Sequence, residues 1–321
     1  MYKNFFVFLF LSVNCIAANA AVTDVEIALR ATYNNCVGIE SSLRDMKIKA
    51  GIGTAVTGVG IGLGIGATAV GIAKSKTDAL IEEKFKMLEI LSYEASSDVE
   101  TMDEQEWLEK FRNSSESDAE LVASDLSGKN KETDEIRELT EKSKKLGHWR
   151  TGLLVGNTAT NITGAAISGI NKVDFTLSEQ IQNCKSAVQN LQKAIAQAKI
   201  ENIDVGEAVA IESACKGFEY IDADNIDKIN RRAKGGMISS VVGTGTGVVG
   251  VITSALANSD KIRNDDSNNG KKKEKNLNTA ANVMAVSSTL ASTTATVFNA
   301  SQMKAIKDIV SVSEKCTEAL R

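Results

Sequence analysis

The chain has 321 residues, of which 43% are apolar and 24% charged, and its net charge is −4. These values are typical of an ordered protein and give no reason to expect a nucleic-acid partner. Because proline, which interrupts helices, is absent and aromatic residues make up only 5%, we predict an all-α protein of long helices with a core of small and aliphatic side chains.

The first 20 residues have the pattern of a secretory signal peptide. An apolar stretch at residues 5–13 is followed by small residues at 18–20, which suit cleavage after Ala20. The apolar stretch is too short to span a bilayer, which takes about 20 residues. A lipoprotein anchor at Cys15 is a poor fit, because asparagine precedes it. We therefore expect export to the periplasm, a cell-envelope membrane or the extracellular medium.

Four cysteines follow the predicted cleavage site, at Cys36, Cys184, Cys215 and Cys316. An even number of cysteines in an exported chain predicts disulfides, since these persist in oxidising compartments. The wide spacing of the cysteines and the presence of one histidine, His148, argue against a zinc site. Four free buried thiols are the alternative.

Four long segments lack Asp, Glu, Lys and Arg and are rich in Gly, Ala, Ser and Thr. We call them the uncharged runs. A cysteine-bearing segment precedes the first and third runs and follows the second and fourth. The order of cysteine segment, run, spacer, run and cysteine segment therefore occurs twice. This order predicts two diverged helical-hairpin units, 21–200 (with a charged insertion, 74–150) and 201–321. The uncharged runs are Ala50–Ala73, Thr151–Asn171, Gly235–Ser259 and Asn276–Met303.

The helices that carry the first two cysteines have apolar residues at alternating spacings of four and three, which predicts coiled-coil-like seams. If each unit folds back as a hairpin, Cys36 meets Cys184 and Cys215 meets Cys316, although the two other connectivities stay open. The first seam is Val25, Leu29, Thr32, Cys36, Ile39, Leu43 and Met46, and the second is Leu177, Ile181, Cys184, Val188, Leu191, Ile195 and Ala198.

The charged insertion 74–150 has an excess of acidic residues. Its periodicity predicts two or three amphipathic helices with breaks near residues 112–118 and 126–130. Glu106, Trp107 and Phe111 are candidates for binding a protein partner. A solvated charged face is the plainer interpretation.

A nucleotide site is one interpretation of the glycines. Gly245, Gly247 and Gly250 match G-x-G-x-x-G. That motif needs a preceding strand within a βαβ unit, whereas here it lies in the middle of an uncharged segment of 25 residues with no alternating βα pattern. We therefore expect no nucleotide cofactor.

Membrane insertion is the second interpretation, because each run is long enough to span a bilayer. Gly58, Gly62 and Gly66 on one helix, and Gly243 and Gly247 on another, would let helices approach closely in lipid. Flanking residues resemble an interfacial belt of aromatic and basic side chains, namely Lys145, Trp149 and Arg150.

Polar residues oppose this interpretation. The second run contains Asn157 and Asn161, and the fourth contains many serines and threonines, so these two would insert poorly alone. Tightly packed hairpins of a soluble protein are the alternative. Glycine alternating with valine and isoleucine would also suit a strand.

Catalytic chemistry has little support. His148 stands alone beside a tryptophan, and the acidic stretch at residues 222–227 lacks the glycine and glutamate of a calcium loop. We expect no catalytic residue, metal, cofactor or small-molecule substrate. The leading hypothesis is a non-enzymatic exported protein that enters or binds a membrane, with a homo-oligomer as the candidate assembly. The alternative is a soluble periplasmic or surface protein that binds an unknown partner through its acidic insertion, and an enzyme ranks third.

Overall fold

The computed structural model describes residues 23–100, 116–263 and 267–321, and within these ranges every regular element is a helix. The predicted all-α class is confirmed for this part of the chain. The predicted signal peptide, residues 1–20, lies outside the described residues, as do Glu106, Trp107 and Phe111.

Few breaks separate the helices, as the absence of proline predicts. After the first helix, Gly38 has a φ of +101°, a left-handed conformation that glycine adopts without a Cβ clash. The helices are α1 (23–36), α2 (Ile39–Glu100), α3 (Glu116–Ile170), α4 (Phe175–Ile200), α5 (Gly206–Cys215), a 3₁₀ helix (Lys216–Tyr220), α6 (Ala223–Ala257), α7 (Asp260–Arg263) and α8 (Asn268–Ala319).

The glycine-rich run Ala50–Ala73 lies wholly within α2. The strand interpretation is therefore wrong, even though an interior glycine costs a helix about 1 kcal/mol relative to alanine. Helix α3 also continues through residues 126–130, where we predicted a break.

The chain forms two compact units, and each draws on segments that are distant in sequence. Their boundaries fall inside the uncharged runs. They therefore do not coincide with 21–200 and 201–321, the ranges expected from the repeat. Unit 1 comprises Met1–Val59, Thr160–Val242 and Ala291–Arg321, and unit 2 comprises Gly60–Ala159 and Gly243–Leu290.

Unit 1 has an aliphatic core built on the predicted seams. Asp174 caps the start of α4, where its carboxylate accepts the backbone N–H of Leu177 at 2.7 Å. All seven seam residues of α4 are buried, and so are six of the seven on α1 and α2, with Leu29 partly buried. Helices α6 and α8 and the 3₁₀ helix complete this core with Phe218, Ile226, Ile229, Ile306, Ile309 and Val310.

Two disulfides cross the core of unit 1. The Sγ atoms of Cys36 and Cys184 are 2.05 Å apart, and those of Cys215 and Cys316 are 2.00 Å apart. These are the pairs that hairpin folding predicts. The cysteines are at most 1% exposed. They close segments of 148 and 101 residues, which restricts the unfolded chain strongly.

Replacing Cys36 and Cys184 together by alanine should lower the free energy of unfolding by roughly 3–5 kcal/mol, because the unfolded chain gains conformational entropy. Urea unfolding without reductant measures this, with the disulfide-bonded wild-type protein as the reference. A peptide map of non-reduced protein that joins Cys36 to Cys215 would contradict the pairing.

Candidate functional site

Arg150 on α3 is fully buried inside unit 2. Its guanidinium donates hydrogen bonds to Ser254 Oγ (3.0 Å), Asn278 Oδ1 (2.8 Å) and Asn282 Oδ1 (3.2 Å). Burial lowers the pKa of Arg150 to about 10, against the opposing effect of nearby carboxylates. The guanidinium therefore stays charged at neutral pH and is held by neutral oxygen atoms.

Lys74 on α2 is a second buried cation in unit 2, with 1% of its side chain exposed. Its Nζ lies 2.7 Å from Asp78 Oδ2 and 3.2 Å from Glu274 Oε1. Ser143 donates a 2.5 Å hydrogen bond to Asp78 Oδ1. Because a buried charge is costly unless it is paired and hydrogen-bonded, these partners are what allow Lys74 to lie inside.

Neutral polar pairs continue along the interior of each unit. In unit 2, Asn157 Nδ2 donates to Ser288 Oγ (3.0 Å), which donates to Gly243 O (2.9 Å). In unit 1, Ser292 Oγ donates to Asn161 Oδ1 (3.0 Å). These four side chains are 0% exposed. The asparagines that weigh against membrane insertion in the sequence are therefore inside and hydrogen-bonded.

Glycines let helices approach closely in unit 2. A Cβ atom added to Gly64 would overlap Thr289 Oγ1, and one added to Gly71 would overlap Asn282 Oδ1. Gly247 meets a threonine hydroxyl of α3 in the same way. At these positions a polar side chain of a neighbouring helix fills the space that a larger residue would need.

Two of the three glycines on the predicted packing face of α2 make no close approach within the described residues, so their packing role stays a prediction. A Cβ on Gly58 or Gly62 would meet no described atom within 4 Å, and on Gly66 it would meet only Leu153, at 3.4 Å. The inward face of α2 instead includes Gly64 and Gly71, because the buried positions keep the three-and-four spacing of the apolar seam.

The predicted interfacial residues point in different directions. Trp149 is 69% exposed and Lys145 is also exposed, whereas Arg150 is buried. Successive residues on a helix are rotated by about 100°, so neighbours in sequence face different surroundings. The prediction of Arg150 as an interfacial residue is therefore wrong.

Aliphatic side chains cover the outer faces of the uncharged runs. In unit 2 their exposed fractions lie between 42% and 63%. A water-soluble helix usually has the opposite arrangement, with apolar residues inside and polar residues outside. The exposed aliphatic residues are Ile65, Ile72, Val155, Val248, Val249, Ile252, Leu256, Val283, Val286 and Leu290 in unit 2, and Ile52, Val59, Ile162, Ile170, Ile238, Val241, Val242 and Val297 in unit 1.

Two helical stretches of the described residues are long and apolar enough to span a membrane, Thr23–Leu88 and Ala223–Ala257. Length and composition are weak support alone, since the core helix of a soluble protein meets the same criteria. A core helix is mostly buried, however, whereas only 28% and 33% of the residues in the most apolar stretches of these two helices are buried.

Other candidate sites have structural explanations. Asp222, from the acidic stretch, precedes α6, and its Oδ1 accepts the backbone N–H of Asn225 at 2.9 Å. His148 is exposed. Among the residues that the structure describes, no group of three or more His, Cys, Asp or Glu side chains is placed to hold a metal ion.

Lys74 and the partners of Arg150 were not among the residues predicted from the sequence. One signal could have found Lys74, because the buried positions of α2 recur every three or four residues from Ala50, and Lys74 continues that series. Ser254, Asn278 and Asn282 carry no such signal, since they resemble the other small polar residues of their runs.

Comparisons of this chain with protein-family models, curated proteins and solved structures find no match. The function must therefore be inferred from the geometry of the chain itself.

Gly64→Ala should lower the free energy of unfolding by roughly 1–3 kcal/mol, because the new methyl group overlaps Thr289. Gly62→Ala is the matched control, and it should raise stability by up to about 1 kcal/mol through its helix propensity. Denaturant unfolding of the three proteins measures both changes. Greater damage from Gly62→Ala would contradict this assignment of the inward face.

Lys74→Met should destabilise unit 2 by roughly 3–5 kcal/mol, because Asp78 and Glu274 lose the cation that neutralises them. Lys76→Met on the exposed side of the same helix should change stability by no more than about 0.5 kcal/mol. Thermal unfolding followed by circular dichroism compares the two. Equal losses would show that the buried ion pairs have no special role.

Proposed function

We propose that this is an exported, non-enzymatic protein that inserts into a membrane through the uncharged parts of α2, α3, α6 and α8. One observation carries the proposal. In each unit these segments turn small and polar residues inward and aliphatic residues outward.

The polar interior supports the proposal because lipid offers no hydrogen-bond partners, so an inserted protein must satisfy its polar groups internally. Asn157 and Ser288 meet this requirement in unit 2, as do Asn161 and Ser292 in unit 1. In an isolated helix these polar residues would oppose membrane insertion. Their burial against hydrogen-bond partners removes most of that free-energy cost.

The aliphatic outer face also supports membrane insertion. Each leucine, isoleucine or valine contributes only about 0.3–0.6 kcal/mol to insertion, but the outer face carries many of them. In water, contiguous apolar patches of this kind mark surfaces that bind a membrane or a partner. The uncharged run within α8 has the most serine and threonine residues of the four and exposes Thr293 and Thr294, so we propose that it enters lipid as part of an assembled unit.

The disulfides support the export part of the proposal, since such bonds persist in oxidising compartments. We place the protein in the periplasm, an envelope membrane or the extracellular medium. We further propose that the chain consists of two diverged repeats with coiled-coil-like seams, on the argument that each proposed repeat contributes one cysteine pair.

A second copy of the chain is the partner we propose within the membrane. Gly62 faces outward on α2 and has no described atom near it. Bare backbone of this kind lets helices from two molecules approach closely in lipid.

The purified protein should be retained in phosphatidylcholine vesicles after an alkaline carbonate wash. Replacing two outward residues, Ile65→Asp and Val286→Asp, should reduce retention about 100-fold or more, because each aspartate at a helix centre costs about 2.5–3.5 kcal/mol on insertion. Both side chains are substantially exposed, at 58% and 43%, so folding in water should be unaffected.

The matched control is Ile27→Asp with Ile200→Asp. These residues are 60% and 75% exposed but lie outside the uncharged runs, so retention should match wild type. Wild-type protein found wholly in the wash would overturn the proposal. The alternative would then be a soluble protein that binds its partner through the acidic insertion 74–150, to be tested by deleting that segment.

A further inference from the structure

A groove in unit 1 lies between the first turns of α6 and the last part of α8. It has two adjoining hollows, with volumes of about 510 and 430 Å³. Three residues of α6 line both of them, Asn225, Lys228 and Arg232, and Lys304 of α8 lines the second.

The groove has more available positive charge than negative charge. Lys228 and Lys304 form no hydrogen bond or ion pair with any residue that the structure describes. Arg232 uses one N–H group to bind Ser301 O at 2.7 Å, which positions its guanidinium against α8. Nearby Arg231 is different, because Asp227 lies 3.1 Å away and pairs with it.

Carboxylates line the groove as well. Asp222 is occupied at the start of α6, where it accepts two hydrogen bonds from Asn225 at 2.9 and 2.8 Å. Asp224 lines the first hollow and Asp308 the second. In the second hollow one carboxylate therefore faces three cations, so its charge favours an anionic ligand.

The position of these cations relates them to the apolar outer face. Arg232 lies three residues before the run Gly235–Ser259, and Lys304 directly follows the run Asn276–Met303. Phe298 lines the first hollow, and its ring lies against the backbone of Gly235. Cations thus stand just beyond the ends of two neighbouring apolar segments.

We infer that this groove binds the phosphate group of an anionic ligand, and that Lys228, Arg232 and Lys304 contact its phosphate oxygens. Guanidinium and ammonium groups make strong charge-assisted hydrogen bonds to phosphate oxygens. A phospholipid is one source of this phosphate group, and that assignment rests on the proposed membrane insertion. A phospholipid would place its phosphate at the groove and its acyl chains along the aliphatic face. Free phosphate has the same chemistry and is the other source.

The test compares binding of the full chain to phosphatidylcholine vesicles with binding to equimolar phosphatidylcholine and phosphatidylglycerol. Wild-type protein should prefer the anionic vesicles. Lys228→Gln, Arg232→Gln and Lys304→Gln combined should reduce affinity for anionic vesicles about 100-fold, or about 5-fold per basic residue, and leave binding to neutral vesicles unchanged.

A control variant removes the same number of charges from exposed sites elsewhere in unit 1, with Lys193→Gln, Lys199→Gln and Arg44→Gln. It should keep the preference for anionic vesicles. Equal losses in the two variants would overturn the site, because the preference would then follow net charge alone. Circular dichroism of each variant confirms that it is folded.

Titration with inorganic phosphate, followed by calorimetry, separates the sources. Suppose that wild-type protein shows no preference for anionic vesicles, and that phosphate binding is lost in the groove variant alone. That result supports the site with a soluble ligand. If no protein resists the carbonate wash but the groove variant still loses phosphate binding, membrane insertion fails and the site stands. If the groove variant keeps both the preference for anionic vesicles and phosphate binding, the site is rejected.

Discussion

The rest of the structure depends on the lack of side-chain volume on the inward faces of the uncharged runs. At Gly64 and Gly71 the backbone of α2 is met directly by Thr289 and Asn282 of α8. Interiors are closely packed, so helices this near to each other leave no room for valine or isoleucine between them. Alanines and short, hydrogen-bonded polar side chains fill most of the interior, with Leu154 as a buried exception, and the other large aliphatic residues of the runs face outward. The inverted polarity is a consequence of close packing.

The two units fix the alignment of their helices by different means. In unit 1, covalent links join α1 to α4 and α5 to α8 within an aliphatic core. In unit 2, Arg150 and Lys74 reach oxygen atoms on α6 and α8. A helix displaced along its axis would leave a buried charge without partners, which costs far more than the paired arrangement contributes. Buried charge in unit 2 therefore specifies one register, whereas apolar contact alone would tolerate several.

Sequence patterns identified the buried faces of the cysteine helices and, through Gly247, the inward face of α6, but not the inward face of the glycine-rich run in α2. Around Cys36 and Cys184, large apolar residues alternate with polar ones, so the periodicity identifies the buried face directly. In the run Ala50–Ala73 every residue is small or apolar, and hydropathy contains no information about orientation. Choosing the face by glycine spacing gave Gly62. Extending the apolar seam through the run would have given the inward face that the structure has.

The sequence by itself determined the helical class, the buried seams of unit 1 and the length of the uncharged runs, because these follow from local propensity and periodicity along one chain. Only the tertiary structure decided which glycines face inward, that Arg150 is buried while Trp149 is exposed, and that Lys74 meets Glu274 across 200 positions. Those outcomes depend on the rotation and register of neighbouring helices. Each is fixed by contacts between residues far apart in sequence, which no single segment encodes.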